Sequence, residues 1–242
     1  MYPDNLRSPL DLSGFASLSA VFDLIYNPAR TCLVMQAEEL GIPAFNGLYM
    51  LVAQAKASSE IFTGNALSAR LVAEITERIG NMTENLILVG MPGCGKTTVG
   101  RILAERTGKE FVDADDELSK ELGIPVPDYL SEHGEDAFRT VETRVLERIG
   151  KLSGKVIATG GGCVTRKENY PLLHQNGRIV FIERAPSELT DAGRPLSQKR
   201  GAAALWAERE PLYRCFADVT VQSRPTPDET ADDIVKALFE NL

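Results

Sequence analysis

Eight consecutive residues carry the first chemical statement in this chain. Gly90, Met91, Pro92, Gly93, Cys94, Gly95, Lys96 and Thr97 fit the spacing G-x-x-x-x-G-K-[ST]. Glycines at those positions let a loop curl until its backbone N–H groups converge on an anion, and a helix starting there adds its positive end. Lys96 would then bring a mobile charge to the outer phosphates, and the Thr97 hydroxyl would ligate Mg²⁺. The flanks suit this chemistry. Residues 86–89 are an apolar run fit for a buried parallel strand, and residues 98–105 read as an amphipathic helix. Strand, glycine loop and helix in that order point to a nucleoside triphosphate site.

Other residues of chemical interest follow downstream. Asp113-Ala114-Asp115 comes after a second apolar run. On a strand both carboxylates would share a face and enter the crevice, one holding Mg²⁺ through water, the other accepting a hydrogen bond from an attacking hydroxyl. A solvated acidic turn or helix N-cap is the equal alternative, because Asp116 and Glu117 follow at once. Arg139 stands three residues before Glu142, a helical spacing that would hold its guanidinium ready for a planar carboxylate. Gly160, Gly161 and Gly162 follow a third apolar run and would let a ligand approach the backbone closely. Arg194 sits in a polar stretch at 185–201 that reads as a lid excluding water during transfer. Arg209 lies near the end of a helix.

The elements that must position these groups alternate. Strands are expected at 86–89, 110–113, 155–159, 178–182 and 218–221, with helices between, notably 136–149 and 228–238. Five short apolar strands separated by helices imply a parallel sheet covered on both faces, with ligands at its carboxyl edge. The pattern divides near residues 80–85. Upstream, residues 20–26 suggest one strand, residues 27–28 a turn, and 31–40, 48–62 and 67–79 three helices, a poor basis for an independent core. At 242 residues, 43% hydrophobic and 25% charged, the composition is that of an ordinary soluble globular protein. A formal charge of −8, from 34 acidic against 26 basic side chains, argues against a nucleic-acid surface. No run has the length of a membrane span, and no signal-peptide pattern is seen. Four scattered cysteines read as free thiols in a reducing cytoplasm. His133, in a loop-like stretch, and His174, in a helix, read as surface residues rather than catalysts.

In this order the motifs are specific. GMPGCGKT at 90–97, DAD at 113–115, FRTVE at 138–142, GGG at 160–162, GRPL at 193–196 and EREPLY at 208–213 make residues 86–242 resemble shikimate kinase. The resemblance implies a P-loop kinase of α/β class with a five-stranded parallel sheet, and a domain at 83–242. It implies ATP-dependent phosphorylation of the shikimate 3-hydroxyl in aromatic amino-acid biosynthesis. Asp115, Arg139, Gly161 and Arg209 would contact shikimate, the two arginines clamping its carboxylate. Gly93, Cys94, Gly95, Lys96, Thr97 and Thr98 would bind ATP, Thr97 would ligate Mg²⁺ with Asp113 behind it through water, and Arg194 would close over the phosphates. Lys96, Asp115 and Arg194 would be the catalytic set. The family's adenine-stacking arginine has no secure counterpart, Arg184 being a candidate. A P-loop kinase for another small polyol, such as gluconate, and a non-catalytic assembly partner are the alternatives.

The first part of the chain resembles a second family. FDLIYNP at 22–28, NGL at 46–48 and MLVAQA at 50–55 are similar to the C-terminal portion of shikimate dehydrogenase. There the tyrosine matching Tyr26 lies near substrate and the glutamine matching Gln54 contacts it. The lysine–aspartate pair and the dinucleotide loop of that family have no counterpart. Residues 1–82 are therefore expected to be a mainly helical, non-catalytic remnant, as in a truncated bifunctional dehydrogenase–kinase, with association with other pathway enzymes as a possible role.

Overall fold

The computed structural model describes residues 6–188 and 201–239, in two compact units, 1–84 and 85–242. Arg194 and the rest of the expected lid at 189–200 lie outside the described residues.

The second unit holds the phosphate loop. Its sheet comprises β3 (Asn85–Val89), β4 (Glu110–Asp113), β5 (Lys155–Ala158), β6 (Gly177–Glu183) and β7 (Val219–Gln222), all parallel, in the order β4-β5-β3-β6-β7. Alternation along β3 explains why the sheet is covered twice. Leu86 and Leu88 pack with Val99 and Leu103 of α4 (Lys96–Thr107) and Ile234 and Leu238 of α9 (Pro227–Phe239). Ile87 and Val89 face the other way, toward α5 (Ala114–Leu122), α6 (Val126–Gly150), α7 (Asn169–His174) and α8 (Ala202–Phe216). Every β3 side chain is buried, and fully burying one such leucine contributes roughly 1.5–3 kcal/mol. The chain runs from β3 out to the edge strand β4, back to β5, then across β3 to β6. That reversal beside β3 opens a crevice at the carboxyl ends of β3 and β5, where a sheet of this kind takes its ligand.

All five expected strands are present, within a residue or so of their expected ends. Three expectations change. The helix placed at 136–149 begins at Val126 and is interrupted at Gly134, where φ is 81°; His133 is thus helical, exposed, and beside the Tyr129 ring at 4.4 Å. His174 is not a surface residue: it is 6% exposed, with its ring stacked on Tyr170 at 4.8 Å. Arg209 lies mid-helix in α8, not near its end.

In the first unit, residues 20–26 contribute only the two-residue strand β1 (Val21–Phe22), and a strand missing from the sequence reading, β2 (Ala44–Phe45), pairs with it in parallel. Between them α1 (Cys32–Glu39) starts at Thr31, whose hydroxyl accepts from the Val34 N–H and donates to Asp23 Oδ2 at 2.6 Å. Helices α2 (Leu48–Thr63) and α3 (Arg70–Thr83) follow. The buried core around Leu12, Val21 and Ala37 is small. Phe22 and Phe45 stack at 5.1 Å on the outside, 74% and 51% exposed.

Candidate active site

The loop after β3 is shaped by its glycines. Gly90, Gly93 and Gly95 have φ of 149°, 88° and 99°, in the range where a side chain is strained. A Cβ on Gly90 would also stand 2.7 Å from the Ile182 carbonyl oxygen. The chain therefore curls tightly and enters α4 at Lys96, which puts the first amides of that helix at the cleft. Lys96 is 8% exposed, and its ammonium donates to the carbonyls of Gly90 at 2.8 Å and Met91 at 3.0 Å. The charge is thus held at the mouth of the loop. Cys94 packs in the hydrophobic core, so only its backbone is offered to a ligand.

Asp113 closes the next side. It ends β4 and serves as the N-cap of α5: its Oδ1 accepts the Asp115 N–H at 3.0 Å, and its Oδ2 accepts the Thr97 hydroxyl at 2.9 Å. The helix N-cap, the equal alternative in the sequence, therefore holds for Asp113, and the reading that a strand carries both carboxylates is corrected. Asp113 caps, and Asp115 projects from the first turn of a helix. Both nevertheless reach the same cleft, because the helix starts where the strand ends.

Arg139 of α6 is 6% exposed and doubly held. Its Nη1 donates to Glu142 Oε2 at 2.7 Å and its Nη2 to Glu135 Oε1 at 3.3 Å. Burial pushes the Glu142 carboxyl above its ordinary range; the Arg139 charge opposes this, and Asp115 adds to it. Desolvation works against the Arg139 charge too, yet Glu142 and Glu135 outweigh it and the guanidinium is held more firmly protonated than usual. Arg209, 3% exposed, donates from Nη1 to the Gly161 carbonyl at 3.1 Å. The Nε atoms of both arginines are buried without a hydrogen-bond partner among the described residues. The two guanidinium groups line one cleft together, and two buried cations on one wall suit an anion.

The glycine run after β5 is tightly enclosed. A Cβ on Gly160 would sit 2.8 Å from both Asp115 Oδ1 and Glu142 Oε1, one on Gly161 would strike Pro92 at 2.5 Å, and one on Gly162 would strike the Arg139 guanidinium at 2.2 Å. The absent side chains leave room for the site's own residues as much as for a ligand. Together these groups line one cleft of about 350 Å³, which includes Gly93, Lys96, Thr97, Thr98, Asp113, Asp115, Arg139, Glu142, Gly161 and Arg209. That volume suits a small molecule. Arg184 is not among its lining residues; its Nε lies 3.9 Å from Glu188 Oε2.

Sequence reasoning missed two participants. Glu135 is Arg139's second carboxylate, four residues upstream on the same helix face. Tyr213 is four residues beyond Arg209; it is fully buried, and its hydroxyl donates to the Gly161 carbonyl at 2.5 Å. Both spacings are helical and could have been read.

Comparison with known proteins gives this cleft a context. A family model described as shikimate kinase matches residues 92–239. The shikimate kinase of Neisseria meningitidis serogroup C is 38% identical over 167 residues, 65% of this chain and 98% of that protein. That of Prochlorococcus marinus is 41% identical over 179 residues, 69% of this chain and 91% of the relative. Among solved structures, shikimate kinase from Acinetobacter baumannii in complex with shikimate superposes with a TM-score of 0.63 at 34% identity, covering 68% of this chain and 97% of that one. The Aquifex aeolicus enzyme gives 0.57 at 29% identity, covering 65% and 97%.

Proposed function

The chain belongs to the shikimate kinase family, and from that membership and the geometry of the cleft we infer that it transfers the terminal phosphoryl group of ATP to the 3-hydroxyl of shikimate, a step of aromatic amino-acid biosynthesis. One observation carries the acceptor reading. Arg139 and Arg209, two buried guanidinium groups, line a glycine-walled cleft that opens directly on the phosphate loop. Two such cations suit a carboxylate at the far end from the phosphates.

Placement in the cleft supports a role for each residue. Backbone amides of residues 93–98 cradle the ATP phosphates, and Lys96 neutralises charge developing on the transferred group. Arg139 and Arg209 grip the shikimate carboxylate, with the Gly161 backbone against the ring. Asp115 accepts the proton of the attacking hydroxyl as its oxygen bonds to the γ-phosphorus and the bond to the ADP oxygen breaks. Thr97 and Asp113, 2.9 Å apart, make an all-oxygen pair that fits Mg²⁺, Thr97 directly and Asp113 through water. When bound, the ion neutralises charge on the phosphate oxygens. Arg194, outside the described residues, is assigned to the lid.

For the first unit we propose a dehydrogenase-derived remnant spanning 1–82, joined to a kinase domain at 83–242. Its support is the FDLIYNP and MLVAQA stretches; Tyr26 and Gln54 are exposed there. The exposed Phe22 and Phe45 suit a role in association with other pathway enzymes. A cytoplasmic location fits, and no helix among the described residues is long and apolar enough to cross a membrane.

The test is ADP release by the purified chain with ATP and Mg²⁺, with shikimate, with gluconate, and with neither. Turnover with shikimate alone is expected. Equal or faster turnover with gluconate would replace the substrate, and no acceptor-dependent turnover would leave a non-catalytic protein.

A further inference from the structure

Tyr213 belongs to none of the roles assigned above, yet its hydroxyl sits at the hinge of the acceptor wall. It follows Arg209 by four residues on α8, so the two side chains leave the same helix face. Both donate to one atom. The Gly161 carbonyl oxygen accepts the Tyr213 hydroxyl at 2.5 Å and Arg209 Nη1 at 3.1 Å, which uses both of its lone pairs. The hydroxyl also lies 3.8 Å from the weakly accepting Met91 sulfur and within hydrogen-bonding reach of the Arg209 side chain. The ring is fixed independently, stacked on Phe181 at 5.0 Å with 21° between the planes. Burial pushes the phenol well above its usual range, so it remains a donor.

The consequence lies in the peptide that this carbonyl begins. A trans peptide is planar, so fixing the Gly161 C=O fixes the Gly162 N–H in the opposite direction. On one side Gly161 is stopped by Pro92, and on the other the Gly162 backbone lies flush against the Arg139 guanidinium, as their virtual Cβ contacts of 2.5 and 2.2 Å require. A small rotation of this peptide would therefore move Arg139 as well as Arg209. We propose that Tyr213 is a positioning residue for the acceptor: its hydroxyl locks the Gly161–Gly162 peptide and thereby sets the spacing of the two arginines that hold the substrate carboxylate. This rests on the carboxylate-clamp reading above.

Tyr213→Phe tests it, since the variant removes one oxygen and keeps the stacked ring. Two readouts are needed. In the ligand-free protein, amide exchange of residues 160–165 should quicken while that of β3 and β6 stays at the wild-type rate. In turnover, the KM for shikimate should rise about three- to tenfold, the scale of one lost net hydrogen bond, with the KM for ATP within about twofold of wild type. Ile234→Val is the comparison variant; it lies in the core on the other face of the sheet, should lower Tm, and should leave the shikimate KM unchanged. Unaltered exchange at 160–165 would overturn the proposal, as would equal rises in both KM values or a shikimate effect of the same size in Ile234→Val. Failure of the wild type to use shikimate would instead overturn the acceptor assignment, and the exchange result would still decide whether Tyr213 locks the peptide.

Discussion

Replacing Arg139 with lysine should weaken shikimate binding far more than ATP binding. The structure shows what lysine would keep. Of the five N–H donors on the Arg139 guanidinium, one on Nη1 goes to Glu142 at 2.7 Å and one on Nη2 to Glu135 at 3.3 Å. A lysine has one compact ammonium in place of this fork. Glu142 is 4% exposed, and leaving a buried carboxylate without its partner costs about 3–5 kcal/mol. The ammonium will therefore stay with Glu142, and the donors that face the ligand will be lost. Losing one charge-assisted bond in a desolvated pocket costs roughly 1.5–3 kcal/mol, or about ten- to a hundredfold in shikimate affinity. The contacts proposed for ATP are on the phosphate loop, so ATP affinity should change by less than about threefold. Calorimetric titration of each ligand separately into wild type and variant reads both quantities. Equal weakening of the two ligands would show that Arg139 acts only as a structural partner of Glu142. Unchanged shikimate affinity would place the carboxylate elsewhere and refute the clamp.

Lys96→Ala removes the ammonium at the mouth of the phosphate loop and should lower kcat by about a hundredfold or more; an ADP-release assay with near-normal turnover would remove Lys96 from the transfer step. Gly160→Ala would place a methyl group 2.8 Å from both Asp115 Oδ1 and Glu142 Oε1. Those are side-chain ends that can swing away, so Tm should fall by only a few degrees while kcat/KM for shikimate falls at least about tenfold; unchanged kinetics would show that Asp115 need not stand where it does. Away from the site, hydrogen bonds from Lys120 and then Arg148 hold the Glu117 carboxyl below its ordinary range. A depressed carboxyl stabilises the fold above its unfolded value and loses that contribution as pH falls through its folded value. Glu117→Gln should therefore cost at most about 1 kcal/mol near pH 7, because Lys120 and Arg148 are largely exposed. The gap between variant and wild type should close below about pH 4 in denaturant titrations, and a gap that widened there would reverse the sign.

The parts of the fold that could be read from sequence were those carried by local contrast. The central strands β3 and β6 carry unbroken apolar runs, Leu86–Val89 and Ile179–Ile182, and the phosphate loop is a fixed spacing, so both stood out. Asp113 and Asp115 stood between two readings for a physical reason: a strand end and a helix N-cap recruit the same residue type, and the hydrogen bond from the Asp115 N–H to Asp113 decides for the cap. Strand β2 has two residues and no periodicity to detect. His174 reads as polar, but its ring stacks on Tyr170 of its own helix, and α7 packs against α6 and β6. At the site, Arg139 and Glu142 were legible because they share a helix turn. The bond from Tyr213 to Gly161 joins residues 52 apart, and no local pattern announces it.

The long-range bonds also explain how the two halves of the cleft can act together. Phosphoryl transfer asks for little covalent help from a protein and a great deal of positioning. Here each group proposed to meet a ligand is itself held by the protein: Lys96 by the Gly90 and Met91 carbonyls, Thr97 by Asp113, Arg139 by Glu142, and Arg209 by Gly161. Donors anchored in this way need not reorganise as charge develops in the transition state, which is where preorganisation has its effect. The two ligand sites also share a wall, because Gly161 packs on Pro92 of the phosphate loop. A carboxylate gripped by Arg139 and Arg209 is thus registered against the phosphate loop through protein contacts. Binding energy from that remote, unreactive group can then be used to aim a hydroxyl at phosphorus, raising kcat as well as affinity.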